Sequence, residues 1–595
     1  MCGIFGYIGP RNDAPALVID GLKSLEYRGY DSWGIAVKRG SPALIEITRR
    51  VGKISAMSDI ASLGHGHLAI GHSRWATHGA VTEGNAHPHI ACDDRLAVIH
   101  NGIVENHREL KIELEARGHH FRSQTDTEVI AHLVEDNLLA GQSLVEAVRH
   151  AFARLQGRNA LIVLPRDGDE MVAVRNGSPL VLGPLQREDG FECFLASDTP
   201  AILPHTRDVL FLDDGKLAHV NGVLHVYDVE TGSPAPHALE TVTWEASQAE
   251  KGHHPHYMVK EIMEQREALG RALNQPPDLL QSVARAMRIA ENVFFAGCGT
   301  AGKVAQMATY LFADVAGRPS SAILGSEFKS YRHSLHERTL LVAISQSGET
   351  ADLLEAVEVA RARGSTVVAV VNVPGSTLAR LADHTLLVNA GPEKAVASTK
   401  ATVGQIAIVT LLAYACAGLA GDGFEVVTHA AASIGRTLSS ESLDELRGLA
   451  RRLKDARDMY VIGRGLSYPV AMEAAIKIQE VSYIHAEGLA GGELKHYAIA
   501  LIEQGTPCFA LVPLDETRHE ILSNATEVKA RGGLIIGISP EPHPIFDVHI
   551  PVADAGMASP VVNLVPVQLL AYYLAVERGF DPDMPRNLAK SVTVK

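Results

Sequence analysis

The sequence predicts a multidomain α/β protein: an α+β block over about the first 240 residues, then two doubly wound parallel sheets made from one repeated unit. Two observations predict the second part. Asn292-Val293-Phe294-Phe295-Ala296-Gly297-Cys298-Gly299-Thr300 echoes Met459-Tyr460-Val461-Ile462-Gly463-Arg464-Gly465-Leu466-Ser467, and each copy reads strand, glycine turn, helix, strand, helix, strand. Further on, Ala360-Arg361-Ala362-Arg363-Gly364 before an apolar run at 367–371 echoes Val528-Lys529-Ala530-Arg531-Gly532 before another at 534–538. The first block instead mixes short apolar runs, Leu96-Ala97-Val98-Ile99-His100 and Ala160-Leu161-Ile162-Val163-Leu164, with helical periodicity over Glu128–Leu139.

With 595 residues, the chain has room for roughly three or four domains, each with its own core. Hydrophobic content of 46% and charged content of 21% describe a globular chain, and a net charge of −15 argues against a general nucleic-acid surface. Six scattered cysteines without a CxxC pair predict free thiols in a reducing cytoplasm, with neither disulfides nor a zinc site. The opening residues lack a basic segment followed by a long apolar one, so no signal peptide is expected. The longest apolar run, 406–420, is short for a bilayer and reads as a buried helix, so no membrane partner is expected.

The chain opens Met1-Cys2-Gly3-Ile4-Phe5-Gly6-Tyr7-Ile8-Gly9. If Met1 is removed, Cys2 carries a thiol nucleophile and an α-amine able to act as its base, and the following residues form a buried strand that holds them. On these residues alone, a cysteine of no consequence is the simpler reading. Polar islands punctuate the rest of the block: Tyr27 to Ser32, Gly71 to Gly79, His100-Asn101-Gly102 and Thr125-Asp126-Thr127-Glu128. Arg74 can grip a carboxylate bidentately, and Asp126 can pair with an α-ammonium group. Asn101 and the N–H of Gly102 suit an oxyanion hole, because glycine lets backbone approach a tetrahedral intermediate. Taken singly, each island reads better as a turn or a helix cap.

Together, MCGIFGYIG, EYRGYDS, HSRWATHG, NAHPH, HNGIVEN and TDTEVI resemble the glutamine amidotransferase domain of the N-terminal-nucleophile (Ntn) hydrolase class. The resemblance implies a four-layer αββα sandwich in which Cys2 attacks the glutamine side-chain amide. It implies that Arg74, Thr77, His78 and Asp126 hold glutamine and that Asn101 and Gly102 stabilise the oxyanion. It further implies that Trp75 gates ammonia passage, and that Arg28 and His87 order the site or couple it to the other domain. Trp33 departs from the family, which usually has a small residue there.

Residues 241–280 read as a connector, in which His253-His254-Pro255-His256 is a solvated loop because proline breaks ligand spacing. In the first repeated unit, a strand at 340–344 ends in Ser345-Gln346-Ser347-Gly348-Glu349-Thr350 before a helix starting Ala351-Asp352. Hydroxyls and consecutive N–H groups around a glycine suit a phosphate at a helix N-terminus, and a helix cap without ligand is the equal alternative. The second unit has Val512-Pro513-Leu514-Asp515-Glu516 there, which repels phosphate. Gly297-Cys298-Gly299-Thr300-Ala301-Gly302 also spells the GxGxxG dinucleotide fingerprint, but its acidic partner, Glu327, comes late and a second anion loop lies outside that scheme.

Glu473, Lys477 and Glu480 fall at i, i+4 and i+7, on one helical face. A salt-bridged surface face is the ordinary reading of such spacing, but the neighbouring Ile476, Ile478 and Val481 suggest partial burial, where a carboxylate can become a useful base. SQSGET, GCGT and the doubled unit resemble sugar isomerase (SIS) domains, which are flavodoxin-like, and nearly the whole chain resembles the isomerising glutamine–fructose-6-phosphate aminotransferase family. That resemblance implies that Ser345, Gln346, Ser347 and Thr350 take the phosphate of fructose 6-phosphate, with Thr300 and Ser398 near the sugar. It implies that Glu480 moves a proton between C1 and C2 while Lys477 and Glu473 orient the sugar. It implies that His496 opens the ring, from the partner subunit of a homodimer, and that Lys590 forms a Schiff base, its amine made neutral by burial. Ala301 and Tyr497 depart from the family's serine and glycine.

The expected domains are 2–240 (amidotransferase), 241–280 (connector), 281–425 and 445–582 (the two SIS units) and 583–595 (the tail with Lys590). The activity implied is glutamine hydrolysis, ammonia channelling and ketose–aldose isomerisation to glucosamine 6-phosphate, entering hexosamine synthesis with no metal or cofactor. A related amidotransferase or deglycase acting on another sugar phosphate, or a sugar-phosphate-sensing regulator, are the alternatives.

Overall fold

A computed structural model describes residues 2–244 and 246–593; Met1 of the opening stretch, Glu245 of the connector, and Val594 and Lys595 of the tail lie outside the described residues. The residues fall into two compact units. One runs to Ala249 and adds Gly375–Thr377 and the tail from Ser591; the other is Glu250–Pro374 with Leu378–Lys590.

The first unit holds an eight-stranded and a six-stranded sheet, both antiparallel. Gly3–Ile8 is a central strand of the larger sheet, paired with Leu68–Arg74 on one side and Gly190–Ala196 on the other. Alternation decides its faces: Ile4 and Ile8 enter the core between the sheets, whereas Phe5 meets the helix Ala14–Ser24 on the outer face. A Cβ on Gly21 would lie 2.4 Å from the Phe5 ring, so glycine sets how closely that helix approaches. In the smaller sheet, Ala97 and Ile99 of Leu96–Gly102 face the inter-sheet core, while Leu96 and Val98 pack under the helices Glu128–Leu139 and Leu144–Ala153. Both faces are therefore covered, and the layers run helix, sheet, sheet, helix.

The second unit contains two five-stranded parallel sheets with the same strand order, 2-1-3-4-5. In the first, Asn292–Gly297 lies between Ser321–Leu324 and Thr339–Ser345, followed by Thr366–Val371 and His384–Leu387. In the second, Asp458–Gly463 lies between His485–Ala490 and Pro507–Leu511, followed by Leu534–Ser539 and Val548–Pro551. This is the flavodoxin-like order, whose ligand crevice lies at the carboxyl ends of the strands beside the first one. Lys400–Cys416 is buried at every position but Tyr414, which makes the apolar run a core helix. Gly556–Glu577 is long and apolar enough to cross a membrane, yet its most apolar stretch is 83% buried in the same core.

Candidate active site

The polar islands of the first unit converge on Cys2. Its Sγ accepts the N–H of Trp75 at 3.2 Å, and its carbonyl accepts Arg28 Nε at 3.2 Å and Asn101 Nδ2 at 3.0 Å. Arg28 is held in turn by Asp198, at 3.0 Å from Oδ2, which also accepts the Tyr27 hydroxyl at 2.7 Å. Burial raises the thiol above its ordinary pKa, against the opposing influence of the Trp75 N–H, Arg74 and Arg28. Asp31 sets the neighbouring segment, taking the Ala76 N–H at 2.9 Å on its carboxylate.

Arg74 is buried, and its guanidinium donates to the carbonyls of His78, Gly79 and Ala80, so the loop after it wraps the cation. Asp126 is buried, accepting the Val104 N–H at 2.7 Å. Trp75 stands edge-on to Tyr30 at 5.5 Å, His78 is half-buried against His107, and Thr77 is exposed. Gly102 has φ +133°, and a Cβ there would lie 2.2 Å from the Arg158 carbonyl, so only glycine fits. Among the described residues, Asn101 Oδ1 is buried without a hydrogen-bond partner. His87 stacks on His72 at 4.0 Å and accepts the His100 N–H at 3.3 Å; burial pushes both rings well below their usual pKa. Trp33 is buried in the strand Ser32–Arg39, opposite Ser73.

In the second unit, the anion loop closes the strand Thr339–Ser345 and enters the helix Ala351–Arg361. Ser345 Oγ accepts the Gly348 N–H at 2.9 Å, Ser347 Oγ accepts the Glu349 N–H at 3.2 Å, and Gly348 takes φ +71°. The Gln346 carbonyl accepts Asn372 N–H at 3.2 Å, and Thr350 occupies the N-cap without bonding its hydroxyl to the helix. In the second copy, Asp515 turns its carboxylate onto Thr517.

Helix Ser467–Ser482 carries the predicted triad. Lys477 Nζ lies 2.6 Å from Glu480 Oε2 and 3.4 Å from Glu473 Oε1, with both Lys477 and Glu473 fully buried. Thr300, at the N-terminus of the helix Thr300–Ala316 that also holds Ala301, donates its hydroxyl to Glu473 Oε1 at 3.1 Å. The two repeated units thus share one polar centre. Burial pushes Glu473 up to about 7, against the pull of Lys477.

The tail is pinned. Asp583 accepts the N–H groups of Tyr257 and Met258, and the Arg586 N–H donates to the Tyr483 hydroxyl at 2.7 Å. Lys590 then forms an ion pair with Glu393 Oε2 at 2.6 Å, in place of the lone buried amine that the sequence predicts, and Ser398 Oγ also donates to that oxygen at 3.0 Å. Burial works against the Glu393 carboxylate, but Lys590 and the N–H groups of Thr399 and Ala401 hold its pKa below the usual value. His496 is exposed at the end of the turn Leu494–His496, beside exposed Tyr497. Among the described residues, no hydrogen bond joins its side chain to Glu480 or Lys590.

Fold and site define a class: a glutamine amidotransferase sandwich with a cysteine at its second residue, carried in one chain with paired sugar-isomerase sheets. Family comparison agrees, matching residues 72–204 to a glutamine amidotransferase domain and residues 286–415 and 452–578 to SIS domains. The chain is 43% identical over 611 residues to a glutamine–fructose-6-phosphate aminotransferase (isomerizing) of Thermococcus kodakarensis, with 100% of both chains covered. It is 42% identical over 612 residues to the enzyme of that name from Pyrococcus horikoshii, again covering 100% of each. The C-terminal domain of glucosamine-fructose-6-phosphate aminotransferase from Francisella tularensis is similar in structure. That match has a TM-score of 0.53 at 32% identity and covers 56% of this chain and 99% of the other. The protein belongs to the glutamine–fructose-6-phosphate aminotransferase (isomerizing) family.

Asp198 and Glu393 were not singled out from the sequence. Each is a lone acid far along the chain from the residue it holds, and the only local hint at Glu393 is the polar Ser398-Thr399 that follows.

Proposed function

We propose that this chain converts D-fructose 6-phosphate and L-glutamine to D-glucosamine 6-phosphate and L-glutamate, supplying hexosamine synthesis. Cys2 Sγ attacks the glutamine Cδ, giving a γ-glutamyl thioester and ammonia; water then releases glutamate. Arg74 and Asp126 orient the amino-acid ends, with Thr77 and His78, while Asn101 Nδ2 and the Gly102 N–H receive the oxyanion. Ammonia passes Trp75, and Arg28 and His87 couple its release to the sugar reaction.

At the sugar site, Ser345, Gln346, Ser347 and Thr350 hold the phosphate. Lys590 forms an imine with C2 of the opened ketose, and ammonia displaces it. Glu480 removes a proton from C1 and returns one to C2, producing the 2-amino aldose. Lys477, Glu473, Thr300 and Ser398 orient the sugar oxygens. His496 of the partner subunit opens the ring in a homodimer, a reading supported by its exposure in the single chain. The domain limits proposed are 2–240, 281–425 and 445–582, with the 241–280 connector and the tail from 583. Six free thiols fit a cytoplasmic setting.

The observation that carries this reading is the buried Lys590–Glu393 pair, an amine fixed by the chain end in a unit of sugar-isomerase fold. The test is to incubate the folded protein with glutamine and fructose 6-phosphate and follow the products by mass spectrometry. Glucosamine 6-phosphate is expected; its absence, with glutamine and sugar unconsumed, overturns the reading.

A further inference from the structure

On the helical side of the first unit, apart from Cys2, four potential metal ligands converge: Cys92, His119, His132 and Glu135, with ligand atoms all within 4.8 Å of one another. They come from three places. Cys92 lies in the turn after the strand His89–Ile90, His119 follows the helix His107–Ala116, and His132 and Glu135 lie one turn apart on Glu128–Leu139. We propose that this cluster is a tetrahedral zinc site.

The spacing supports it. Zinc bound by thiolate, imidazole and carboxylate has S···N edges of about 3.6 Å and N···O edges of about 3.3 Å, from bond lengths near 2.3 and 2.0–2.1 Å. Here Cys92 Sγ is 3.6 Å from Nδ1 of both His119 and His132, and Glu135 Oε2 is 3.0 and 3.2 Å from those same nitrogens. Both histidines therefore present Nδ1 to one point, together with a sulfur and a carboxylate oxygen. The outward nitrogens face carboxylates. His119 Nε2 lies 2.7 Å from Asp136 Oδ1, and His132 Nε2 lies 3.7 Å from Glu128 Oε1. The Asp136 carboxylate fixes the His119 tautomer that leaves Nδ1 free to bind a metal, while His132 Nε2 makes no hydrogen bond among the described residues. A neutral His119 donating to Asp136 otherwise turns its lone pair on Glu135 Oε2, a repulsion that a cation between them removes.

One thiolate and one carboxylate balance the charge of a divalent ion, and the mixed sulfur, nitrogen and oxygen set suits zinc better than magnesium or calcium. Binding displaces the Cys92 thiol proton to solvent. Four protein ligands, three of them buried, close the coordination sphere, so the role is structural. The ion ties the turn at Cys92 and the segment after His119 to the helix that begins two residues beyond Asp126, steadying the loop that carries Asp126.

Metal analysis of the purified full-length protein tests this. About one zinc per chain is expected to survive dialysis. Cys92→Ser and His132→Gln should each retain roughly a tenth of that or less, and a strong chelator should lower the wild-type Tm. The cobalt form, prepared with cobalt chloride, should show the sulfur-to-metal charge-transfer band and visible bands of a tetrahedral thiolate site. The cobalt readout rests on wild type alone, so poor folding of a variant does not obscure the result. The proposal is overturned if wild type incubated with zinc chloride holds no zinc after gel filtration. It is overturned equally if both variants keep the full complement, or if the cobalt form lacks the sulfur band.

Discussion

Lys590 Nζ lies 2.6 Å from Glu393 Oε2, with 4% and 0% of the two side chains exposed. Glu393→Gln keeps the shape but leaves a buried ammonium without its counter-charge, a loss of about 3–5 kcal/mol when one partner of such a pair is removed. The Tm of the variant should fall. Lys590→Arg keeps a cation but cannot form an imine. Borohydride with fructose 6-phosphate should label Lys590 in wild type, leave Lys590→Arg unlabelled, and leave glutamine hydrolysis by that variant intact.

Arg28 spans Cys2 and Asp198, contacting the carbonyl of one and the carboxylate of the other. Asp198→Asn weakens that brace without touching the Cys2 thiol. Glutaminase kcat should drop on the order of tenfold to a hundredfold, the scale of a small misplacement of reacting groups. Synthesis from added ammonia should be unchanged.

Two glycines with positive φ separate strain from steric clash. Gly102, at φ +133°, would place a Cβ 2.2 Å from the Arg158 carbonyl, whereas a Cβ on Gly118, at φ +93°, would meet nothing within 4 Å. Gly118→Ala should cost about 1–3 kcal/mol, the strain of an unfavourable backbone region alone. Gly102→Ala should cost more and also suppress glutamate release; paired thermal melts and glutaminase assays compare them.

Glu473 has its pKa raised by burial from 4.5 to about 7. Between those values the folded state binds the proton more tightly than the unfolded state, so this group's contribution to stability falls as pH rises and is level above about 7. Glu473→Gln resembles the protonated acid at every pH. The Tm of wild type minus that of the variant should therefore decline between pH 4.5 and 7. Buried histidines such as His72 and His87 destabilise both proteins in acid and cancel in the difference.

What was legible in the sequence was local. An apolar, glycine-spaced run placed the opening strand at residues 4–8, observed at Gly3–Ile8, helical period placed the helix at Glu128–Leu139, and the repeated strand–glycine–helix pattern anticipated two sheets of one topology. The spacing of Glu473, Lys477 and Glu480 put them on one face, and Lys477 does bridge the two acids. Contacts closed by the tertiary fold left no such trace. Glu393 meets Lys590 across 197 positions, and Asp198 meets Arg28 across 170. The same holds for Cys92, His119, His132 and Glu135, whose irregular spacing hid a cluster that a search for paired cysteines excluded.

Glutamate release from glutamine, with and without fructose 6-phosphate, in wild type and Cys2→Ala, tests the central claim most directly. Release that the sugar stimulates and the substitution abolishes is the predicted result, since it requires a thiol nucleophile in one unit coupled to a sugar site in the other. Undiminished release by Cys2→Ala, or none by folded wild type, would contradict it.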